Sequence, residues 1–361
     1  MPEQKLGKAR LLLFSLIAAA GFFAASELSL RLVHFRFQRS LSYMQFGYPS
    51  KIELHRVFIA DPELLFRMKP GSSFGTLFGS LNRQGFRGKD FEKAKPAGLI
   101  RIACLGDSVT FGIPGYTYPD MLKQILNRNQ PGEKFQVYNF GVPGYSSWQG
   151  KRLLGQVISE YHPEVIVIFY GWNDHWLARG FSDHEQKVKK DVPLILLRDE
   201  LSGLRVYQLL NKVIAQAAIK FSKTGQDKLR VPLDQYRANL KEMIQAAASN
   251  RASVILTTAP AGLGLGPLPD YLEAIGFIRQ GQDLQQLHET YNQAVRSSAG
   301  AEGAQLVDLD LIFKERGVKN LFDRPEKDII HPNRAGIELI AESIAGAIIK
   351  SNADIKKEGN R

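Results

Sequence analysis

Five short apolar runs, each followed by a stretch with helical spacing, occupy most of the chain after residue 98. Short apolar runs bounded by turn residues are typical of strands buried on both faces. Their alternation with helices predicts a parallel sheet covered on both sides. We therefore expect an α/β fold, a flavodoxin-like three-layer sandwich with a five-stranded parallel sheet. The predicted strands are 99–105, 135–140, 165–170, 253–258 and 305–309.

The stretches between these runs predict the helices. The clearest is the last, in which isoleucines and an alanine recur every three or four residues from Ile337 to Ile348. This spacing is typical of an amphipathic helix with one face in the core. The predicted helices are 119–129, 148–161, 233–249, 284–298 and 334–351.

The N-terminus carries an apolar run that is long enough to meet a membrane. Residues 11–25 are apolar or small apart from Ser15, and extension to residue 33 adds only Glu27 and Arg31 as charges. A cleaved signal peptide and a retained anchor both fit. We favour the anchor because apolar residues continue past the alanines at 18–20. Residues 1–33 are then a cytoplasmic tail and signal anchor forming a transmembrane helix, with the rest extracytoplasmic, in the periplasm or at the cell surface.

The remaining chain divides by composition. We expect 34–98 to be an approach segment packed on the main domain, 99–351 to be that domain, and 352–361 to be a polar tail. A lid-like insertion at 175–230 interrupts the domain. Its second part, 201–221, predicts an amphipathic helix that fits a lid, a membrane-surface helix or a helix packed on the domain.

Net charge indicates which binding partners to expect, and the position of the single cysteine indicates its role. The 361 residues carry a formal net charge of +11, which favours anionic surroundings such as lipid headgroups or an acidic polymer. No zinc-finger spacing, aromatic RNA-binding signature or recognition-helix pattern is present, so nucleic acid is not an expected partner. The single cysteine, Cys104, lies in a predicted strand and is expected to be a small buried apolar residue.

Polar residues suited to acyl transfer follow several of the predicted strands. Residues 106–108 end the first strand with a serine, 139–144 follow the second, 170–174 follow the third, and 328–333 precede the last helix. The carboxyl ends of parallel strands share one edge of a sheet, where open α/β folds bind their ligands. We therefore expect these four segments to meet there.

These segments resemble the conserved blocks of a known superfamily. The blocks are Gly106-Asp107-Ser108, Gly141, Gly171-Trp172-Asn173-Asp174 and Asp328-Ile329-Ile330-His331. In this order they are similar to the nucleophile, glycine, asparagine and Asp-x-x-His blocks of the SGNH hydrolases, also called the GDSL esterase/lipase superfamily. The resemblance runs from about residue 99 to the last helix and implies a serine esterase, here of a membrane-anchored bacterial type. It implies no metal and no cofactor.

The resemblance also assigns roles. Ser108 is the expected nucleophile, His331 its general base, and Asp328 the carboxylate that orients the imidazole. The backbone N–H groups of Ser108 and Gly141 and the side-chain amide of Asn173 are the expected oxyanion-hole donors.

Aromatic residues cluster near the same blocks. The three tryptophans Trp148, Trp172 and Trp176 lie in or just after them, and we expect them to bind substrate. Packing in the core is the alternative interpretation. His175, beside Asp174, is expected to line the cleft or the base of the lid.

Four functions fit these residues. The first is a serine esterase that removes short acyl or acetyl groups, for instance from a cell-envelope glycan. The others are an acyltransferase onto a glycan, a lipase or lysophospholipase at the membrane surface, and a non-catalytic scaffold, against which Ser108, Asp328 and His331 argue together. The expected partners are a glycan-borne or lipid ester and the membrane. The sequence leaves the oligomeric state open.

Overall fold

A computed structural model describes residues 7–37, 57–74, 79–113, 115–128, 134–178, 182–186, 197, 201, 203–221, 228–274 and 276–358. The chain divides into two compact units. The smaller comprises Met1–Leu41, Tyr48–His55 and Lys190–Gly225, and the larger comprises Ser42–Gly47, Arg56–Lys189 and Gln226–Arg361.

The strands in chain order are β1 (Phe58–Asp61), β2 (Leu65–Met68), β3 (Ser73–Phe74), β4 (Gly79–Ser80), β5 (Ile100–Gly106), β6 (Phe135–Gly141), β7 (Val165–Phe169), β8 (Leu177–Ala178), β9 (Lys228–Leu229), β10 (Ser253–Thr257) and β11 (Gln305–Val307). The helices are α1 (Lys8–Leu32), α2 (Ser108–Phe111), α3 (Tyr118–Asn127), α4 (Ser147–Tyr161), α5 (Arg205–Phe221), α6 (Leu233–Ser249), α7 (Tyr271–Ala274), α8 (Leu284–Glu302), α9 (Leu309–Arg316) and α10 (Arg334–Glu358), with a 3₁₀ turn at Val318–Asn320.

The core of the larger unit is a sheet that the described residues form from five parallel strands in the order β11-β10-β7-β5-β6. This order is the predicted flavodoxin-like one, and each predicted strand is confirmed to within two residues at either end. Gly106 at the end of β5 lies opposite both Gly141 of β6 and Phe169 of β7. The loops after these three strands therefore leave the sheet at the same level.

Helices cover the sheet in two groups. Helix α3 packs on α10, while α6 packs on both α4 and α8. The predicted isoleucine stripe of α10 is buried, as the periodicity indicates. The helix continues to Glu358, so the predicted polar tail at 352–361 is helical over most of its length. Helix α9 was not predicted because its first residue, Leu309, was included in the last predicted strand and its eight residues are too few for a periodicity to be decisive.

Residues 57–98 pack against β6 and α4. Phe91 stacks on Tyr138, with ring centroids 4.4 Å apart. The fully buried guanidinium of Arg101 donates to the carbonyl oxygens of Lys93, Ala94 and Tyr161. This part of the approach segment thus supplies acceptors and rings that the sheet edge needs.

The insertion leaves the larger unit through a narrow ribbon. Strands β8 and β9 pair antiparallel, with Leu177 opposite Leu229. Beside the ribbon, the buried Arg230 donates to both carboxylate oxygens of Asp183, at 3.1 and 2.8 Å. The ends of the insertion are therefore joined by an ion pair as well as by backbone pairing.

The smaller unit contains α1 and α5. Helix α1 is, among the described residues, the one helix that is long and apolar enough to cross a membrane, and none of its residues is buried. Near its C-terminal end Glu27 Oε2 accepts the backbone N–H of Val206 at 2.9 Å. Helix α5 therefore begins against the last turns of α1.

Candidate active site

Ser108 begins the short helix α2 immediately after β5. Asp107 caps this helix: its Oδ1 accepts the Val109 N–H at 3.0 Å. A left-handed Gly112 (φ +96°) ends the helix after one turn. All four residues of α2 are buried, and Ser108 is 6% exposed. The sharp strand-to-helix turn thus presents one hydroxyl at the edge of the sheet.

A continuous hydrogen-bonded relay links Ser108 to His331 and Asp328. His331 Nδ1 lies 2.7 Å from Asp328 Oδ2, and His331 Nε2 lies 2.7 Å from Ser108 Oγ. Because the carboxylate only accepts, Nδ1 carries the proton and donates to it. Nε2 is therefore the acceptor for the Ser108 hydroxyl, which is the arrangement a general base requires.

A tight turn at residues 328–331 holds Asp328 and His331 in place. Asp328 Oδ1 accepts the backbone N–H groups of Ile330 and His331, at 2.9 and 3.1 Å, so one carboxylate holds both the turn and the imidazole. Gly262 N donates to Ile329 O at 2.9 Å and ties the turn to the loop after β10. Asn333 then caps α10 by accepting from Gly336 N.

Asp328 and His331 each shift the pKa of the other. Burial disfavours the imidazolium, but the Asp328 carboxylate outweighs burial and raises the pKa of His331 above its ordinary 6.5. Burial likewise disfavours ionised Asp328, but His331 and the backbone N–H groups lower its pKa below 3.8. The geometry favours a carboxylate beside an imidazole of increased basicity.

Asn173 is joined by a hydrogen bond to Asp107, the residue that precedes Ser108. Its Nδ2 donates to Asp107 Oδ2 at 3.1 Å, which leaves the second amide hydrogen available. Burial raises the pKa of Asp107 to about 6 despite these hydrogen bonds. Asp107 therefore both caps α2 and orients the Asn173 amide.

The prediction for Gly141 needs correction. Its N–H donates to Asn139 Oδ1 at 2.9 Å, so it is not free to bind an oxyanion. Gly141 is a glycine for a different reason, since a Cβ there would lie 2.2 Å from Phe111 N. In the same loop, Gly144 adopts φ +82°, which favours glycine, and its N–H has no acceptor among the described residues. Gly144 is the better candidate donor.

The three tryptophans are buried and do not offer a face to a substrate. Trp172 stacks on Trp176 at 5.5 Å, and its indole N–H donates to Pro260 O. Trp148 is covered by the guanidinium of Arg152, 3.6 Å from the ring centroid. The substrate-binding prediction therefore finds no support here, and core packing accounts for all three side chains.

His175 is also interior rather than cleft-lining. His288 Nε2 donates to Ala259 O, so His288 Nδ1 accepts from His175 Nε2 at 2.9 Å. Burial lowers the pKa of both, that of His288 to about 4. This neutral pair links the loop that carries Asn173 to α8.

Two arginines that the sequence analysis did not single out brace the site loops. Arg87 donates to the carbonyl oxygens of Gly112 and Gly115, at 2.7 and 3.0 Å, and holds the loop after α2. Arg230 donates to Gly144 O at 2.9 Å. Neither lies in a recognisable motif, and only the fold brings them to these carbonyls. Among the described residues, no group of three or more histidine, cysteine, aspartate or glutamate side chains is placed to hold a metal ion.

The chain matches one known protein family over most of its length. The sequence model of the GDSL-like lipase/acylhydrolase family matches residues 104–339, well over half of the chain. The chain belongs to this family. It is therefore a hydrolase that acts on esters, and the matched region contains every residue of the relay.

Several solved structures are similar at low identity. A lipase/acylhydrolase from Enterococcus faecalis is 19% identical, covering 69% of this chain and 95% of its own (TM-score 0.44). An alpha/beta hydrolase enzyme from the metagenome of Lake Arreo, Spain, is 18% identical, with coverages of 69% and 94% (TM-score 0.43). An acetylxylan esterase from Geobacillus stearothermophilus is 19% identical, with coverages of 68% and 92% (TM-score 0.41). No curated protein sequence matches the hydrolase.

Proposed function

We propose that this hydrolase cleaves carboxylic esters of short acyl groups, such as acetyl, through a Ser108–His331–Asp328 triad and an acyl-enzyme. The observation that carries the proposal is the relay of two 2.7 Å hydrogen bonds that ends on the Ser108 hydroxyl. A serine hydroxyl becomes an effective nucleophile only when a base accepts its proton, and His331 Nε2 is in position to do so.

The reaction runs in two halves. Ser108 Oγ attacks the ester carbonyl carbon while its proton passes to His331 Nε2. The tetrahedral intermediate then expels the alcohol, which takes that proton, and leaves the acyl group on Ser108. Water repeats the sequence: His331 accepts its proton, the new C–O bond forms, and the carboxylic acid departs as Ser108 regains its proton.

The intermediate's oxyanion needs donors. We assign the Ser108 N–H, the Gly144 N–H and the second hydrogen of Asn173 Nδ2 to this role. Neither backbone N–H has an acceptor among the described residues, and Asp107 holds the Asn173 amide. These donors are fixed before substrate binds, which is what makes such a site effective.

The burial of the nucleophile is the observation on which we base a short acyl group. Ser108 is 6% exposed and all four residues of α2 are buried. We further propose that α1 is a retained anchor and that the hydrolase domain lies outside the membrane. We place the residues before the apolar run in the cytoplasm, although basic residues flank the run on both sides: Lys5, Lys8 and Arg10 precede it, and Arg31, Arg36 and Arg39 follow it. An acylated cell-envelope glycan is then the proposed substrate class.

The test is hydrolysis of 4-nitrophenyl esters from acetyl to palmitoyl by the full chain in detergent. We expect activity confined to short chains, an initial burst of nitrophenolate, and an acyl mass shift on the peptide containing Ser108. Ser108→Ala should abolish all three, while Ser298→Ala, which alters a buried serine of α8, should leave them unchanged. Turnover by a folded Ser108→Ala protein would refute the triad, and rates that rise with chain length would refute the short-acyl assignment. N-terminal sequencing that begins inside α1 would refute the anchor.

A further inference from the structure

Helix α5 of the smaller unit exposes an apolar face. Leu209, Leu210, Val213 and Ile214 are 38%, 55%, 54% and 47% exposed. Positions i, i+1, i+4 and i+5 lie on one side of an α-helix, so the four side chains form a continuous stripe. A stripe of this kind on a surface helix marks an interaction site.

The opposite side of α5 is polar and contacts the segment that follows α1. Gln208 Oε1 accepts the Phe37 N–H at 3.2 Å, and the Lys212 ammonium lies 5.6 Å from the centroid of the Phe35 ring. Arg205 lies on this polar side and donates to Gln208 Oε1. The side chains of α5 that contact the segment after α1 are therefore not those of the apolar stripe.

The junction with α1 sets where α5 sits. Twenty-five residues of α-helix are about 37 Å long, somewhat more than the roughly 30 Å hydrocarbon core of a bilayer. Glu27, which accepts the Val206 N–H, lies in the last two turns of α1. When α1 spans a membrane, this contact places the start of α5 at the level where the span ends.

The charges at the junction are mostly basic. Arg31, Arg36, Arg205 and Lys212 are the cationic side chains described there, against the single carboxylate of Glu27, which Arg31 already pairs at 2.7 Å. A surplus of positive charge beside an apolar stripe is typical of helices that lie in the headgroup region of anionic membranes.

We propose that α5 is an interfacial helix: it lies in the membrane surface beside the C-terminal end of α1, with its apolar stripe in the acyl-chain boundary and its basic residues among anionic headgroups. The Glu27 contact joins α5 to the membrane-spanning helix, and the Gln208 contact joins it to the segment that follows that helix, so a lipid bilayer is the occupant that adjoins the stripe. This inference rests on the proposed anchor.

The test places a fluorescent probe on single cysteines introduced into the full chain, whose own Cys104 is buried. The labelled protein is reconstituted into vesicles of phosphatidylcholine and phosphatidylglycerol containing lipids spin-labelled near the headgroup. Leu210→Cys and Val213→Cys report the stripe, and Asn211→Cys is the matched control on the polar side of the same turn. Ile17→Cys, read with lipids spin-labelled at the acyl-chain end, reports the anchor.

We expect loss of fluorescence at positions 210 and 213, retained fluorescence at 211, and stronger quenching at 210 as phosphatidylglycerol replaces phosphatidylcholine. Quenching at 17 together with unquenched probes at 210 and 213 would overturn the interfacial helix and leave the anchor standing. Protection of 210 from both lipid and aqueous quenchers would also overturn it, because another part of the protein would then cover the stripe. An unquenched probe at 17 would overturn the anchor itself.

Discussion

The proposed nucleophile, base and oxyanion donors each depend on a neighbouring carboxylate. Asp328 holds His331 through one oxygen and the backbone of its turn through the other. Asp107 divides its oxygens in the same way between the Val109 N–H and the Asn173 amide. In both cases one acid fixes a side chain relative to the backbone that carries a catalytic group, so substitution of either should affect rate before it affects fold.

Asp328→Asn should move the pH profile as well as lower the rate. Catalysis needs neutral His331, so kcat/KM of the wild type should rise with pH through the His331 pKa, which lies above 6.5. Removal of the carboxylate that raises this pKa shifts the acidic limb to lower pH. It also reduces kcat by roughly 10⁴, since the productive tautomer is no longer enforced. A pH–rate profile of both proteins checks this, and an unshifted limb would contradict the pairing.

Asp107→Asn should lower the activity and raise the relative stability at neutral pH. An amide has one accepting oxygen where the carboxylate has two, so either the Val109 cap or the Asn173 amide loses its partner. We expect kcat to fall about tenfold or more, with KM little changed. Steady-state kinetics with a short-chain ester measure this part of the prediction, and equal changes in kcat and KM would point to a binding role instead.

The stability effect of Asp107→Asn has a defined sign. The folded-state pKa of Asp107, about 6, lies above the ordinary value of 3.8. The wild type therefore loses unfolding free energy as the pH rises from about 4 to about 6, and it does not regain this free energy at higher pH. The loss is about 3 kcal/mol, since each pKa unit is worth about 1.4 kcal/mol. The variant lacks it, so its Tm relative to the wild type should improve between pH 4 and 7. A pH-independent difference in Tm would contradict the buried charge.

Some residues of the site follow from the sequence and others do not. Ser108 and Asn173 stand in motifs that follow strands, Asp328 and His331 stand in a motif just before the last helix, and the structure brings these motifs together at one edge of the sheet. Gly144 could not be told from Gly141 by sequence, because the choice depends on which backbone N–H is already bonded, and Asn139 decides that.

At the scale of elements, sequence periodicity predicted the sheet and its helices well because each strand is buried by neighbours of its own α/β unit. It could not predict the ribbon of β8 and β9 or the two-stranded pieces in residues 57–80, whose strands are two to four residues long. Such short pairs are stabilised by distant partners. The buried Arg230–Asp183 ion pair is an example, since its members are 47 positions apart in the sequence.

Arg230→Met should test that junction. Removal of the guanidinium leaves the Asp183 carboxylate buried and unpaired, which costs about 3–5 kcal/mol of unfolding free energy. The variant also frees Gly144 O, so kcat should fall more than KM rises. Lys151→Met is the matched control, because its ion pair with Glu242 is partly exposed and worth about 1 kcal/mol or less. Equal losses in urea denaturation would show that the buried pair contributes nothing special.

At the scale of the whole molecule, the described part of the approach segment within residues 57–98 belongs to the fold of the larger unit rather than lying loosely on it. The sequence placed its boundary at residue 98, where the strand–helix alternation begins, because residues 57–98 carry no long periodic element. The structure shows why they are nonetheless required: Arg101, inside the first sheet strand, has acceptors in this segment.

Two truncations test how much of the chain the fold of the larger unit requires. A protein that begins at Val57 loses α1 but keeps the acceptors of Arg101 and the rings of Phe86 and Phe91 that stack on the sheet edge. We expect it to fold and to retain Ser108-dependent esterase activity.

A protein that begins at Leu99 lacks Phe86 and Phe91, so the aromatic side chains that they cover on the sheet, such as Tyr138, become exposed. It also lacks two of the carbonyl oxygens that accept from the buried Arg101 guanidinium. The buried Phe91 contributes about 2 kcal/mol, the partly buried Phe86 less, and each lost acceptor about 1–3 kcal/mol, which together rival the 5–15 kcal/mol of a whole domain. It should therefore aggregate or melt without a cooperative transition, as circular dichroism against temperature would show. A cooperative transition within a few degrees of the longer protein's Tm would mean that residues 57–98 only lie on the surface of a domain complete without them.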